Sequence, residues 1–273
     1  MGFRSRLKNA KRIVVKVGTS TLTYENGNIN LNRIEKLTRI LSDVVNSGKE
    51  VTLVSSGAIG VGVSKLNLKE KPKDVREKQA LSAVGQCELM HIYSKFFGEY
   101  SHTVGQVLLT RDVIENERIK NNVCNTFEIL LDKNIIPIVN ENDTISIDEI
   151  ENIVNFGDND NLSAIVSLLI NADLLIILSD IDGFYDSDPR SNENAKLLDE
   201  IEEITEELEK CAGGAGTNLG TGGMATKLIA AKRATKQGID MVLVNGSNPE
   251  IILDVLEGKE VGTLFIGNRN TTL

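Results

Sequence analysis

Two lysines and a cluster of acidic and amide side chains are the residues of this sequence best suited to chemistry on a phosphate. Lys227 ends the stretch GTGGMATK, residues 220–227, which contains three glycines. Glycines let backbone N–H groups approach an anion, a helix N-terminus adds about half a positive charge, and the lysine adds a whole one. Apolar residues then recur at helical spacing: Met224, Leu228, Ala231 and Ala234. The stretch therefore predicts a phosphate site at the start of a helix, with Lys227 in its first turn.

Two other interpretations of this stretch are a flexible connector and a dinucleotide-binding turn. Gly220, Gly222 and Ala225 satisfy the spacing G-x-G-x-x-A. That motif should leave a strand, whereas the residues before it read KCAGGAGTNL. A Walker loop is excluded because no G-x-x-x-x-G-K-[ST] occurs in the chain. If the stretch binds a nucleotide, it does so by other means.

The second lysine, Lys16, is the fourth residue of the run IVVKV, which is otherwise isoleucine and valine. A buried ammonium group needs a partner, so Lys16 lies at a strand tip or pairs with a charge; the alternative is a lysine that extends from an edge strand. Residues 18–20 (GTS) follow with backbone and hydroxyl donors that suit a phosphate, and residues 55–57 (SSG) repeat the pattern.

The stretch FGDNDNLSA, residues 156–164, is the other dense polar cluster. Asp158, Asn159 and Asp160 precede the apolar run LSAIVSLLI, so one of them should cap a buried helix. Capping requires one such residue and not three in succession. We therefore expect Asn159 or Asp160 to belong to a site.

The elements that must position these residues are short apolar runs alternating with helical stretches. Continuous apolar runs indicate strands buried on both faces, and the alternation predicts an α/β fold with a mostly parallel sheet. We expect strands at 13–17, 51–54, 104–109, 135–139, 174–178, 241–244 and 263–266. We expect helices near 31–47, 78–97, 116–133, 160–170, 224–237 and 250–257.

Polar clusters follow four of these strands. In parallel sheets, ligands bind outside the carboxyl ends of the strands. The clusters at those ends are KVGTS (16–20), SSGAIGVG (55–62), NEND (140–143) and SDIDGFYDSDPR (179–190). Together they predict one crevice.

Composition bounds the class of protein. The chain has 273 residues, 41% of them hydrophobic, and no Ser/Pro/Gly linker, so we expect a single domain. Its net charge of −9 argues against a nucleic-acid surface. No apolar stretch approaches the roughly 18 residues of a membrane span. The three cysteines, Cys87, Cys124 and Cys211, lie far apart in the sequence, which fits reduced thiols in a cytoplasmic protein. The two histidines, His91 and His102, lack the spacing of metal ligands.

Seven motifs, in this order, resemble the amino acid kinase family: KVGTS, SSGAIGVG, LLTRDV, NENDTISI, GDNDNLSA, SDIDGFYDSDPR and GTGGMATK. GDNDN and GTGGM-x-TK resemble the branch that phosphorylates the γ-carboxylate of glutamate in the first step of proline synthesis. The resemblance covers about residues 11–266 and implies a three-layer αβα sandwich around a mostly parallel sheet. It implies an acceptor-binding part at about 1–170 and an ATP-binding part at about 171–267. Many bacterial members carry a C-terminal PUA domain, which we do not expect here because the chain ends soon after GTLFIG.

The resemblance also implies a role for individual residues. Lys16 and Lys227 would hold the ATP phosphates and neutralise the transferring phosphoryl group, and Asp160 would orient both ammonium groups. The glutamate-binding residues would be Ser56, Asp143 and Asn159. The ATP-binding residues would be Lys16, Ser179, Asp180, Thr221, Gly222, Gly223, Met224, Ala225, Thr226 and Lys227.

Elementary chemistry agrees with these roles. A γ-carboxylate with a pKa of about 4.3 is already ionised at neutral pH, so the nucleophile needs no general base. The reaction needs positioning and charge neutralisation, because an anion attacks an anion. Asp143 would pair with the substrate ammonium group. We expect Mg²⁺ to bridge ATP oxygens without a dedicated cage of protein carboxylates.

Other acceptors remain open within the same fold: acetylglutamate, aspartate, carbamate or a nucleotide. NENDTIS and GDNDN favour glutamate. A catalytically silent sensor is a further alternative, against which the presence of both Lys16 and Lys227 argues. The resemblance also implies a homo-oligomer (dimer or tetramer), feedback by proline and a downstream γ-glutamyl phosphate reductase.

Overall fold

The computed structural model describes residues 2–145, 159–187, 192, 194–212 and 223–269. The strands within these residues are β1 (Arg12–Val17), β2 (Glu50–Ser55), β3 (Val104–Leu109), β4 (Ile136–Glu141), β5 (Leu174–Ser179), β6 (Glu200–Ile201), β7 (Asp240–Asn245) and β8 (Thr263–Phe265). They form one sheet in the order β3-β4-β2-β1-β5-β7-β8-β6. Within the described ranges all neighbours pair in parallel except β7 and β8, which are antiparallel. The predicted mostly parallel sheet is confirmed.

Helices cover both faces of this sheet. They are α1 (Thr19–Leu22), α2 (Leu31–Asn46), α3 (Ala58–Lys65), α4 (Val75–Glu99), α5 (Asp112–Glu115), α6 (Glu117–Asp132), α7 (Asn159–Leu169), α8 (Glu206–Ala212), α9 (Met224–Lys236) and α10 (Ile251–Leu256), after a 3-10 helix at Phe3–Asn9. None of the described helices combines the length and apolar character that crossing a membrane requires.

Side chains that alternate along β1 separate two hydrophobic cores. Ile13, Val15 and Val17 pack in one core with residues of α2, α4 and α10. Val14 packs in the other core with residues of α7 and α9. Because successive side chains of a strand point to opposite faces, the two cores lie on opposite faces of the sheet. The result is the predicted three-layer αβα arrangement.

All seven predicted strands are present, and the structure adds elements that the sequence pattern did not indicate. β6 has only two residues, too few for a periodic signal. α1 has four residues, and α3 contains Gly60 and Gly62 within eight residues. Glycine has a low helix propensity, so this stretch resembles a loop. α8 and the 3-10 helix were also missed.

Glycines allow α3 and α4 to pack in unusually close contact. A Cβ atom on Gly85 would overlap the carbonyl oxygen of Ala58, and one on Gly62 would overlap that of Leu81. The backbones therefore approach each other directly. This packing fixes the part of α4 that carries Ser82 and Gln86.

Gly85→Ala should lower the free energy of unfolding by about 1–3 kcal/mol or more, because the added methyl group must push two backbones apart. Gly98→Ala is the matched control, since Gly98 lies in the same helix and a Cβ atom there meets nothing within 4 Å. It should raise the stability by about 0.5–1 kcal/mol. Denaturant unfolding of both variants measures the difference, and equal effects would contradict the close helix contact.

Candidate active site

Asp160 in the first turn of α7 lies between the two lysines that the sequence singled out. The Nζ atom of Lys16 is 2.5 Å from Oδ1 of Asp160, and the Nζ atom of Lys227 is 3.0 Å from Oδ2. Lys16 is the next-to-last residue of β1, and Lys227 lies in the first turn of α9. Three elements therefore bring these three charges together at the carboxyl edge of the sheet. We call Lys16, Asp160 and Lys227 the charged triad.

The charged triad is almost completely buried. The exposed fraction is 6% for Lys16, 0% for Asp160 and 5% for Lys227. Burial by itself would raise the pKa of Asp160, but the ammonium groups of Lys16 and Lys227 outweigh it and lower that pKa below its ordinary value. Asp160 is therefore ionised at neutral pH. Two positive charges and one negative charge leave the triad with an excess positive charge, which attracts an anion.

Three helices near the triad begin at a glycine. Gly18, Gly57 and Gly223 precede α1, α3 and α9, and none of them supplies a side-chain cap. Gly57 has a φ of 96°, in the left-handed region that favours glycine. Uncapped N–H groups at a helix N-terminus bind anions well. These helix starts therefore suit phosphate groups.

An amide network adjoins the triad. The Nδ2 atom of Asn159 lies 2.8 Å from Oγ of Ser56, 3.0 Å from Oδ1 of Asn140 and 3.2 Å from the carbonyl oxygen of Ser55. Nδ2 of Asn140 donates in turn to Oε1 of Gln86 at 2.9 Å. We call Ser56, Gln86, Asn140 and Asn159 the amide network. It joins the end of β2 to α4, β4 and α7.

Asp143 lies next to this network, two residues beyond the end of β4. It is half-buried, and its Oδ2 atom accepts a hydrogen bond from Oγ of Ser82 at 2.9 Å. Ser82 and Gln86 share one face of α4, four residues apart, so the same helix contacts both Asp143 and Asn140. Asp143 and Asn159 are thus held at the same side of the site.

Sequence reasoning missed Ser82, Gln86 and Asn140. Asn140 belongs to the quoted NEND cluster, but no role was predicted for it. Ser82 and Gln86 fall on the same helical face as the buried Leu89 and Tyr93. Buried polar residues within an apolar helix face are uncommon without a partner, and that pattern was the available signal.

The other predicted ATP-binding residues that the structure describes lie at two further places on this edge of the sheet. Ser179 ends β5 and donates from Oγ to Oδ1 of Asp180 at 3.1 Å. The carbonyl oxygen of Ser179 accepts from the backbone N–H of Gly246 at 2.7 Å, which ties β5 to the end of β7. α9 begins at Met224 directly after Gly223, as the glycine-rich stretch predicted.

Thr226 has a contact that the sequence did not predict. Its Oγ1 atom lies 3.3 Å from Oδ2 of Asp160, the oxygen that Lys227 also contacts. Ala225 and Met224 precede it in the first turn of α9. Several positions of the sequence interpretation lie outside the described residues: Asp158, Gly220, Thr221, Gly222, residues 146–147 of NENDTISI and residues 188–190 of SDIDGFYDSDPR.

A mostly parallel sheet with two buried lysines around one aspartate, beside helices that begin after a glycine, is typical of phosphate-binding α/β enzymes. The chain belongs to the amino acid kinase family, whose sequence profile matches residues 11–245. It is 73% identical to the "Glutamate 5-kinase" of Clostridium perfringens (strain 13 / Type A), over 98% of this chain and 99% of that protein. It is 58% identical to the "Glutamate 5-kinase" of Enterococcus faecalis (strain ATCC 700802 / V583), over 97% of each chain.

Solved structures share the fold at lower sequence identity. A UMP kinase from Bacillus anthracis superimposes with a TM-score of 0.62 at 18% identity, covering 95% of this chain and 97% of that one. An isopentenyl phosphate kinase from T. acidophilum gives a TM-score of 0.61 at 18% identity, covering 93% and 100%. These similarities establish the amino acid kinase fold.

Asp160→Asn should lower the free energy of unfolding at neutral pH by about 3–5 kcal/mol, because it leaves two buried ammonium groups without a counter-charge. The pKa of Asp160 is lower in the folded state than its ordinary value of 3.8. The stabilisation from the ionised carboxylate is therefore complete above that value and is lost as the pH falls through the folded-state pKa.

Denaturant unfolding across acidic pH measures the difference in free energy of unfolding between the wild type and Asp160→Asn. It should shrink below pH 3.8. A constant difference down to the lowest accessible pH, or none at neutral pH, would contradict the described ionisation of Asp160.

Proposed function

We propose that this protein transfers the γ-phosphoryl group of ATP to the γ-carboxylate of L-glutamate and forms γ-glutamyl phosphate, the first step of proline synthesis. The observation that carries the proposal is the buried Lys16–Asp160–Lys227 triad beside the amide network. The triad suits phosphoryl transfer, and the network offers donors to an acceptor. The relatives named "Glutamate 5-kinase" match over almost their whole length, which supports glutamate as that acceptor.

In this proposal the lysines neutralise charge as the reaction proceeds. A carboxylate oxygen of glutamate attacks the γ-phosphorus, and the bond from that phosphorus to the bridging oxygen of ADP breaks. No proton has to move, because the nucleophile is already an anion. Lys16 and Lys227 would bind the charge that spreads over the phosphoryl oxygens. Asp160 is then a positioning residue, since it acts through the two ammonium groups.

On the acceptor side, Ser56, Asn159 and Asp143 would bind glutamate. The hydroxyl and amide groups suit the substrate's carboxylates, and the carboxylate of Asp143 suits its ammonium group. Gln86 would fix the orientation of Asn140, because its Oε1 atom accepts a hydrogen bond from Nδ2 of Asn140 and Oδ1 of Asn140 then faces Asn159. Glutamate would thus meet a pre-arranged set of donors.

On the nucleotide side, Ser179, Asp180 and the start of α9 would bind ATP, which approaches the triad from the uncapped N-terminus of that helix. Mg²⁺ would enter as the Mg·ATP substrate, held mainly by phosphate oxygens. The described residues contain no group of three His, Cys, Asp or Glu side chains that could hold a metal ion. The acceptor part would span about residues 1–170 and the nucleotide part about 171–267.

The proposal extends to the cellular setting. The product is an acyl phosphate, so a γ-glutamyl phosphate reductase would consume it. We also propose a cytoplasmic homo-oligomer, a dimer or a tetramer, with feedback by proline.

Trapping of the acyl phosphate tests the proposed reaction. Incubation with ATP, Mg²⁺, hydroxylamine and one candidate acid at a time should give the hydroxamate from glutamate. Acetylglutamate and aspartate are the comparison acids, with ADP release as the second readout. Hydroxamate from another acid at a higher kcat/KM, or none from any acid, would overturn the proposed function.

Lys227→Ala should reduce kcat at least a hundredfold, roughly 2.7 kcal/mol of transition-state stabilisation, because it removes one of the two charges at the phosphoryl group. Lys232→Ala is the control: it lies in the same helix and pairs with Glu209 at the surface. Its kcat should match the wild type. A Lys227→Ala enzyme with near wild-type turnover would remove that lysine from the mechanism.

Asp143→Asn and Asp180→Asn should separate the two substrate sides. The first should raise the KM for glutamate far more than that for ATP, because it removes the partner of the substrate ammonium group. Asp180→Asn should raise the KM for ATP far more than that for glutamate, because Asp180 belongs to the proposed nucleotide site. Steady-state kinetics with each substrate varied measures both, and equal changes in the two KM values would refute these assignments.

A further inference from the structure

A cleft of about 700 Å³ lies at the edge of the sheet opposite the charged triad. Its walls are the C-terminal ends of α7 and α9, part of α5 and α6, and Asn268 and Arg269 beyond β8. Asp173 and Ile239 line it directly before β5 and β7 begin. Asp160 and Lys227 lie at the other ends of α7 and α9, helices about 16 and 20 Å long. The cleft is therefore separate from the proposed active site.

The size and walls of this cleft suit a small molecule. Small-molecule sites in proteins have volumes of about 300–1,000 Å³, with mostly apolar walls and a few polar groups. Ile165, Leu169 and Ile239 contribute buried apolar surface here. The cleft can therefore take an apolar or aromatic body.

Positive charge is concentrated at this cleft. Four basic side chains from three parts of the chain line it: Lys120 of α6, Arg233 and Lys236 of α9, and Arg269 beyond β8. Asp173 is the one acidic residue among the described residues that line the cleft, whereas the chain as a whole carries a net charge of −9. A local excess of cations in an acidic protein favours an anionic ligand.

Two of the four basic side chains have carboxylate partners, since Lys120 pairs with Glu117 at 3.5 Å and Arg269 pairs with Asp240 at 3.4 Å. Oδ2 of Asp173 accepts the backbone N–H groups of Lys11 and Arg12 at 2.7 and 2.9 Å. In the part of the chain that the structure describes, neither Arg233 nor Lys236 forms an ion pair. The dipole of α9 favours basic residues in its last turn, and ion pairs account for Lys120 and Arg269. Within the described residues, Arg233 and Lys236 therefore carry the unpaired positive charge of the cleft.

We propose that this cleft binds a small phosphate monoester with an apolar or aromatic body. Guanidinium groups bind phosphate in bidentate geometry, and the guanidinium group of Arg233, which lines the cleft, is the candidate for that contact. The phosphate would lie among the basic side chains and the body against the apolar wall. This site is independent of the proposed glutamate and ATP sites.

Phenyl phosphate is the probe for this site, and methyl NMR of isoleucine-labelled protein is the readout. Ile114, Ile165 and Ile239 line the cleft, whereas Ile59 in α3 reports on the opposite edge of the sheet. The cleft methyl groups should shift in a saturable way, with a Kd of about 1 mM or tighter. Phenol and inorganic phosphate should each bind more weakly, because each lacks one half of the recognised molecule.

Lys236→Gln and Lys232→Gln are matched variants, the same change one turn apart on α9, and only Lys236 lines the cleft. Lys236→Gln should weaken phenyl phosphate binding about fivefold, with a larger loss when Arg233→Gln is added. Lys232→Gln should bind as the wild type does. The proposal is overturned by unshifted cleft methyl groups at about 10 mM probe, by equal losses in the two lysine variants, or by phenol or inorganic phosphate binding as tightly as phenyl phosphate.

Discussion

The ion pairs of Asp160 with Lys16 and Lys227 are the interaction on which the rest of the structure depends. A carboxylate with no exposed surface is stable in its charged form only if its partners are held at contact distance. Those partners come from β1 and α9, while Asp160 comes from α7. The fold must therefore place the end of a central strand and the starts of two helices within a few ångströms of one another. A parallel sheet does this, because its strands end and its helices begin at one edge.

The two consecutive residues at the start of α7 contact different partners. Asp160 contacts the lysines, and Asn159 contacts Ser56 and Asn140 in the amide network. One helical turn therefore sets the distance between the phosphate side and the acceptor side. In the proposed reaction that distance is the quantity that matters most, since in-line transfer requires the two substrates to be aligned. The glycines at the contact of α3 with α4 fix the position of Gln86, and Gln86 in turn orients Asn140.

Much of this architecture could be predicted from local sequence patterns. Apolar runs such as LLIIL and IVVKV indicated buried strands, and the polar clusters that follow strands indicated one crevice. Lys16 was predicted to belong to a site because it interrupts a run of isoleucine and valine. The spacing of residues could not pair it with Asp160, because 144 residues separate them along the chain and only the sheet brings them together; the resemblance to the family implied that pairing.

Other features could not be predicted because they depend on contacts between elements. The glycines of α3 indicate a loop, because the backbone of α4 that packs against them is not visible in the local sequence. Gln86 is one of several polar residues in a long helix, and only its contact with Asn140 shows that it belongs to the site. Thr226 was placed with the nucleotide contacts, and its hydroxyl lies near Asp160.

The central claim is that Lys16 and Lys227 work as one unit through Asp160. A double-mutant cycle on kcat tests it most directly, with Lys16→Met, Lys227→Met and the double variant measured at saturating ATP and glutamate. The account predicts strong non-additivity: the double variant should lose little more activity than the worse single variant. Losses that multiply would show that each lysine acts independently and would contradict the account.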